Sequence, residues 1–223
     1  MPKLVFAVLP TVGGKLREEY VAKMAAVSEY AKTSEPGVLT YAVCLPRDEA
    51  DQKTVYAIEI YQDQAALDAH MQTANVKDLI AWMGANPVLA KAPTVTELDV
   101  IEDLGLLVRN DKLAAVTDPY VVVGEVTYKN GELVQQSLPH WAKVVETNKT
   151  SEPGTLVYAL SRGAAEPSKL YTLEAYESKD YLWDVHAKSA AVQANVATTK
   201  EWRDNLTLHV VRKAHGYLAR AKL

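Results

Sequence analysis

Two histidines raise the question of chemistry. His70 closes the segment Leu67-Asp68-Ala69-His70 and His186 closes Trp183-Asp184-Val185-His186, nine and ten residues after the tyrosine that ends an apolar strand, Tyr61 and Tyr176. A neutral imidazole bordering a cavity can take a proton from a phenol or an activated C–H. In a packed core it instead bonds its nitrogens to backbone and locks a helix onto a sheet. Because the residue occurs twice, both readings stand. Around the histidines lie three repeated tyrosine pairs: Tyr41 and Tyr158, Tyr56 and Tyr171, Tyr61 and Tyr176. Tyrosine supplies an aromatic wall and a hydroxyl handle, as a planar phenolic ligand requires. Tyr56 and Tyr61 are five positions apart in one strand, so they face opposite sides, and not all six line one pocket. Trp141 and Trp183 are further candidate walls. They fall in the second half with Trp202, His140 and His209, whereas the first half has Trp82 and His70, which points to the second half for the more elaborate pocket.

Several other chemistries lack their residues. No HxH, HExxH or carboxylate cluster is present, so no metal site is expected. Gly13-Gly14 lacks the following Gly or Lys-Ser/Thr of a phosphate-cradling loop, and no GxSxG nucleophile motif occurs. The one cysteine, Cys44, excludes an intrachain disulfide and a cysteine-based zinc site; a buried thiol is expected.

The elements that position these residues come in two copies. Lys32-Thr33-Ser34-Glu35-Pro36-Gly37 recurs 117 residues on as Lys149-Thr150-Ser151-Glu152-Pro153-Gly154, and a strand follows each copy. Val55 to Tyr61 is echoed by Leu170 to Tyr176, and Leu67 to His70 by Trp183 to His186. Each copy reads as strand, helix, strand, strand, helix, strand, the ferredoxin-like order. In the first copy these are a strand over Leu4 to Leu9 and a helix over Lys15 to Thr33, apolar at Leu16, Tyr20, Met24, Val27 and Tyr30. A hairpin of Val38 to Leu45 and Thr54 to Gln62 follows. Next come a helix from Asp63 through His70, continuing with or without a break to Trp82, and a strand over Thr94 to Ile101. In the second copy they are Tyr120 to Tyr128, a helix from Glu132, Thr155 to Arg162, Lys169 to Glu177, a helix from Lys179, and Leu206 to Arg212. The repeats are drawn as residues 1–108 and 109–223, with the connection Glu102 to Asp118 packed through its leucines. A strand such as Val38-Leu39-Thr40-Tyr41-Ala42-Val43 is apolar on both faces, so the side away from the helices also needs a cover. Two sheets packed face to face satisfy this. The expected fold is α+β, two ferredoxin-like repeats packed sheet to sheet as an intramolecular dimeric α/β barrel.

The chain of 223 residues has a net charge of −4 and 48% hydrophobic residues, an ordinary globular mixture with no pull toward nucleic acid. The basic stretch Arg212 to Lys222 reads as a solvated terminus. No apolar run reaches the roughly 20 residues of a membrane span, and the N-terminus is too soon interrupted for a signal peptide, so a cytoplasmic protein is expected.

The stretch Glu35 to Trp82, with its Glu-Pro-Gly turn, strand, second strand ending in an aromatic residue and an acidic turn, and helix carrying Leu67-Asp68-Ala69-His70, resembles the central signature of antibiotic biosynthesis monooxygenase (ABM) domains; Glu152 to His186 is a looser second match. The resemblance implies a small aromatic or polyketide-like ligand. It also implies monooxygenation, cyclisation or isomerisation without cofactor, or a non-catalytic small-molecule-binding or stress-response barrel. It places His70 and His186 beside the cavity and leaves open a homodimer of fused chains. Haem-degrading relatives carry a first-strand Asn and a histidine ten residues beyond the His70 position. Here the first strand has no Asn and those later positions are Ile80 and Val196, so haem degradation is not expected. Quinone-forming relatives often end the third strand in Trp, where this chain has Tyr61 and Tyr176.

Overall fold

The computed structural model describes residues 1–102 and 104–220. The first repeat runs β1 (Lys3–Pro10), α1 (Gly14–Ser34), β2 (Val38–Pro46), β3 (Thr54–Tyr61), α2 (Gln64–Met71), α3 (Ala74–Ala85) and β4 (Thr94–Val100). The connection holds a short strand, β5 (Leu106–Val108), and α4 (Asn110–Ala115). The second repeat runs β6 (Tyr120–Tyr128), α5 (Gly131–Thr150), β7 (Thr155–Arg162), β8 (Lys169–Tyr176), a π-helical turn (Tyr181–His186), α6 (Ala190–Thr199) and β9 (Arg203–Tyr217). The chain is therefore α+β and built from two repeated ferredoxin-like units. No helix among the described residues is long and apolar enough to cross a membrane.

Two compact units result, Met1–Asp99 with Val211–Leu223, and Val100–Val210. In the first the strand order is β4-β1-β3-β2-β9, and in the second β9-β6-β8-β7-β5. β9 is longer than the sequence pattern indicates because its last part continues as the partner of β2, from Pro46↔Val211 to Tyr41↔Tyr217. The connection is packed as expected: β5 pairs with β7 at Leu106↔Ala159 and Leu107↔Tyr158.

Local signals account for the elements. Gly13 and Gly14 take φ of 83° and 58°, turning the chain from β1 into α1 at little steric cost. α1 buries Tyr20, Met24, Val27 and Ala31. Tyr30, expected on that stripe, is exposed, because a 3.6-residue period puts Ala31 four positions after Val27 on the buried face. The second helix of the first repeat is broken. Thr73 Oγ1 donates to His70 O (2.8 Å) and accepts from Val76 N, ending α2 and capping α3. On β3, Val55, Ala57 and Tyr61 face the helices, while Ile58 and Ile60 on the other face are equally buried.

The basic terminus is not simply solvated. Arg212 and Lys213 lie within β9, Lys222 lies outside the described residues, and Arg220 grips the end of α1. Arg220 Nη2 donates to Ala31 O (2.6 Å) and Glu35 O (2.7 Å), and its Nε donates to Val38 O (2.7 Å). Arg109, after β5, does the same for α5, donating through Nη2 to Asn148 O (2.6 Å), Lys149 O (3.1 Å) and Glu152 O (3.4 Å). Asn148 and Glu152 occupy the repeat positions of Ala31 and Glu35. The last carbonyls of a helix have no intrahelical donors, and a guanidinium, with five N–H groups in a fixed fork, serves several of them together.

The repeated Glu-Pro-Gly turns sit tightly under the helix that follows. A Cβ added at Gly37 meets Ala66 Cβ at 2.7 Å, and one at Gly154 meets Tyr181 Cδ2 at 2.6 Å and Glu177 Cδ at 2.7 Å. Gly154→Ala is expected to lower stability by about 1–3 kcal/mol through this overpacking. Urea unfolding checks it, and an unchanged midpoint would show that the helix yields freely.

Candidate functional site

Five side chains meet in the same way in each repeat. Glu59 projects from β3 to the helix side between Ala57 and Tyr61, and its register partner on β2 is Tyr41. Glu174 on β8 is likewise paired with Tyr158 on β7. The hydroxyl of Tyr61 donates to Glu59, and that of Tyr176 donates to Glu174 Oε2 (2.7 Å). The following helical segment lowers a histidine onto the tyrosines. His70 lies 5.5 Å, between ring centroids, from both Tyr41 and Tyr61. His186 lies 5.8 Å from Tyr158 and 5.1 Å from Tyr176. Each Nδ1 meets the glutamate of the Glu-Pro-Gly turn, His70 with Glu35 Oε2 at 3.0 Å and His186 with Glu152 Oε2 at 2.7 Å.

The sequence reading found the histidines and tyrosines but missed all four carboxylates. Two signals were present. Glu35 and Glu152 belong to the best-kept segment of the repeat, and Glu59 and Glu174 are lone charges inside apolar strands, Ile58-Glu59-Ile60 and Leu173-Glu174-Ala175. A charge placed there needs partners. The remaining candidates lie elsewhere. Tyr56 stacks on Phe6 at 6.0 Å and the Tyr171 hydroxyl donates to Glu166 (2.8 Å), both on the strand parity that points away from the histidines. Trp183 is 44% exposed, because the π-helical turn directs it outward while His186 turns in. Trp141 does join the site, with Nε1 donating to Tyr128 Oη (2.9 Å). Among the described residues no group of three His, Cys, Asp or Glu side chains is placed to hold a metal ion. Cys44 is buried, as expected, and burial pushes its thiol up to about 12.

The two constellations differ in what lies above them. In the first repeat Tyr20 of α1 is buried over the group and stacks on Trp82 at 6.2 Å. Burial, and then the nearby Glu59 charge, push the Tyr20 hydroxyl up to about 12. In the second repeat the same position of α5 is Ser137, whose hydroxyl folds back onto Val134 O (2.7 Å). There a cavity of about 130 Å³ is lined by His186, Glu174, Tyr158, Trp141, Asn195 and Arg203, among others. The segment bearing His186 is also a π-helical turn, where the first repeat has the regular helix α2. Such turns recur at functional sites.

Electrostatics in the second repeat favour an ion pair. Burial works against a charged His186, but the hydrogen bond it donates to Glu152 and the charges of Glu174 and Glu152 outweigh it, so its pKa rises above 6.5. Burial likewise opposes ionised Glu152, and the His186 bond and charge, with hydroxyls of Thr155 and Ser189, overcome it and hold its pKa below 4.5. Tyr158 is fully buried beside Glu174 but makes no well-formed hydrogen bond through its hydroxyl. Burial first, then the Glu174 charge, drive its pKa well above 10.0. From these directions, the stability contributed by the pair is complete between pH 4.5 and 6.5. It falls below that window as Glu152 protonates through its lowered pKa, and above it as His186 deprotonates through its raised one. In a series of denaturation curves, Glu152→Gln should flatten both flanks; flanks unchanged by the substitution would contradict the pairing.

A comparison with curated protein sequences finds no relative. Among solved structures, the chain is similar to a presumptive monooxygenase of Lactobacillus acidophilus NCFM, with TM-score 0.77, 17% identity, and 98% of each chain covered. It is similar to another from Fusobacterium nucleatum, with TM-score 0.77, 20% identity, and 100% of this chain and 98% of that one covered. An anthrone oxidase-like protein matches with TM-score 0.61 at 14% identity, covering 100% and 95%. At these identities the likeness is one of fold. The sequence model of the antibiotic biosynthesis monooxygenase family matches twice, over residues 10–82 and 119–198, once per repeat. The chain belongs to the antibiotic biosynthesis monooxygenase family, as a tandem duplication of its domain.

Proposed function

We propose that the second repeat is the working half, a monooxygenase-type site for a small aromatic phenol in which His186 is the base and Glu152 its positioning residue. The observation that carries this reading is that His186 lines a cavity, whereas in the first repeat Tyr20, in the position of Ser137, is buried near Glu59 and stacked on Trp82. Glu152 on Nδ1 holds the imidazole in the tautomer whose Nε2 accepts a proton. A carboxylate behind the ring also stabilises the imidazolium formed by that transfer. Removing the phenolic proton makes an electron-rich ring that O₂ can oxidise. For a phenol with a free para C–H, one oxygen atom enters as the second carbonyl and the other leaves as water, so phenol and O₂ give quinone and water. Family membership and the fold likeness to an anthrone oxidase-like protein support this type of reaction.

Two experiments test the reading. With O₂ consumption as the readout, His186→Gln is expected to lower turnover about 10²–10⁴-fold, the usual loss for a general base, while His70→Gln leaves it near wild type. Both variants keep an amide that can donate to the glutamate. Equal loss in both, or loss only in His70→Gln, would put the chemistry elsewhere. Because a base must be neutral to act, kcat/KM should rise with pH through an inflection above 6.5, the His186 value being raised. Glu152→Gln should move that inflection to lower pH. An inflection below 6.5 in the wild type, or one indifferent to Glu152, would sink the assignment.

A further inference from the structure

The second-repeat cavity has a definite size and one cation without a carboxylate. Its volume is about 130 Å³. A dry cavity of about 150 Å³ takes one benzene molecule, so a single six-membered ring fills this space and a three-ring ligand would project beyond its mouth. Depth orders its lining. Tyr158, Asn195, Thr172 and His186 are each 5% exposed or less, whereas Leu206, Leu208 and Val196 are 40–49% exposed. A polar inner end and an apolar mouth follow.

Arg203 stands on this cavity at the start of β9. Its Nη2 donates to Asn195 Oδ1 (2.9 Å) and Thr199 Oγ1 (2.6 Å), which fix its direction. Its guanidinium carbon lies 5.6 Å from the Trp141 ring centroid and 5.9 Å from that of Tyr128. Its Nε is buried with no partner in the protein, and none of the ion pairs among the described residues includes it. The hydroxyl of Tyr158 is buried beside Glu174 without a well-formed hydrogen bond. The Arg203 charge reaches that hydroxyl, lowering its pKa against the larger effect of burial. A guanidinium edge with a free N–H is shaped for a planar carboxylate, and leaving such donors unpaired out of water is costly. The acceptors on the same cavity are His186, the proposed base, and Glu174.

We propose that this cavity takes a single-ring phenol bearing one carboxylate, with the carboxylate on Arg203 and the phenolic hydroxyl toward His186 and Glu174. The proposal rests on the second repeat being the working half, and narrows it to one ring and one negative charge.

Calorimetric titration of the whole chain at pH 7 with three probes tests it. The probes are 3-hydroxybenzoate, its neutral isostere 3-hydroxybenzamide, and the three-ring anthrone. The expected result is that 3-hydroxybenzoate binds about tenfold or more tighter than the amide, the loss typical when one charge-assisted bond is removed. Anthrone should bind more weakly still. Arg203→Gln should erase the preference for the carboxylate, and Arg203→Lys should restore it in part. Ser137→Tyr, which rebuilds the first repeat's roof, should abolish binding of all three. Equal affinity for benzoate and benzamide overturns the charge assignment, and does so in the wild type even where a variant fails to fold. Tighter binding of anthrone, lost in Ser137→Tyr, overturns the single-ring limit and leaves the second-repeat site standing. Binding of any probe unaffected by Ser137→Tyr overturns both. No binding by any of the three overturns the proposed ligand class, while O₂ consumption in the His186→Gln comparison judges the working half separately.

Discussion

A carboxylate and an imidazole bonded to each other inside an apolar sheet–helix layer set the terms for the rest of each repeat. Glu152 and His186 are 2% and 5% exposed, and His70 is equally buried, while Glu35 is partly exposed. Removing one partner of a buried pair leaves an uncompensated charge, typically at a cost of about 3–5 kcal/mol. The neighbouring elements are placed so that the pair stays closed. The Gly of each Glu-Pro-Gly turn lets the turn pass under the next helix without a side chain in the way. An arginine, Arg220 in one unit and Arg109 in the other, holds the backbone carbonyl of the paired glutamate and the end of the helix before it. Two tyrosines from adjacent strands pack on the imidazole, and a strand glutamate takes the hydroxyl of one of them.

Duplication allows the same constellation to have two fates. The pair, the tyrosines and the strand glutamate are chemically alike in the two copies, so the difference lies in the roof. One helix position decides most of it, Tyr20 in the first repeat and Ser137 in the second. A tyrosine ring at this position is large enough to occupy the space that a serine leaves open, and Tyr20 is secured there by stacking on Trp82. The first copy then spends its buried polar groups on cohesion. The second turns similar groups toward a cavity, with Arg203 and Asn195 added at its inner end.

Much of this was legible in sequence. Element order, the paired strands and the repeat follow from hydrophobic period and from the copied Lys-Thr-Ser-Glu-Pro-Gly segment. These are local signals that tertiary packing reinforces. The histidines and the inward tyrosines Tyr41, Tyr61, Tyr158 and Tyr176 were visible because they repeat and because strand parity separates them from Tyr56 and Tyr171. Glu35 and Glu152 were missed because a Glu in a turn reads as solvated until the helical segment about 35 residues later is folded over it, and Glu59 and Glu174 because the cross-strand tyrosines, Tyr41 and Tyr158, and the histidines lie on other elements. Arg109 and Arg220 were missed for a related reason: their partners are main-chain carbonyls, which leave no residue-type signature. Trp183 misled because a π-helical turn shifts the phase by which side chains are assigned inward or outward. The contrast between Tyr20 and Ser137 was present in the aligned repeats. It acquires meaning only when the distance from that helix face to the strand glutamates is known.

The two like constellations differ at one helix position, Tyr20 in the first repeat and Ser137 in the second, and His186 lines a cavity. Imidazole nitrogen NMR of both histidines, with and without 3-hydroxybenzoate, tests this difference most directly. His186 is expected to titrate with a pKa above 6.5, to hold its proton on Nδ1 when neutral, and to shift on ligand addition while the His70 resonances stay in place. Ligand-induced shifts at His70 with a silent His186 would contradict it.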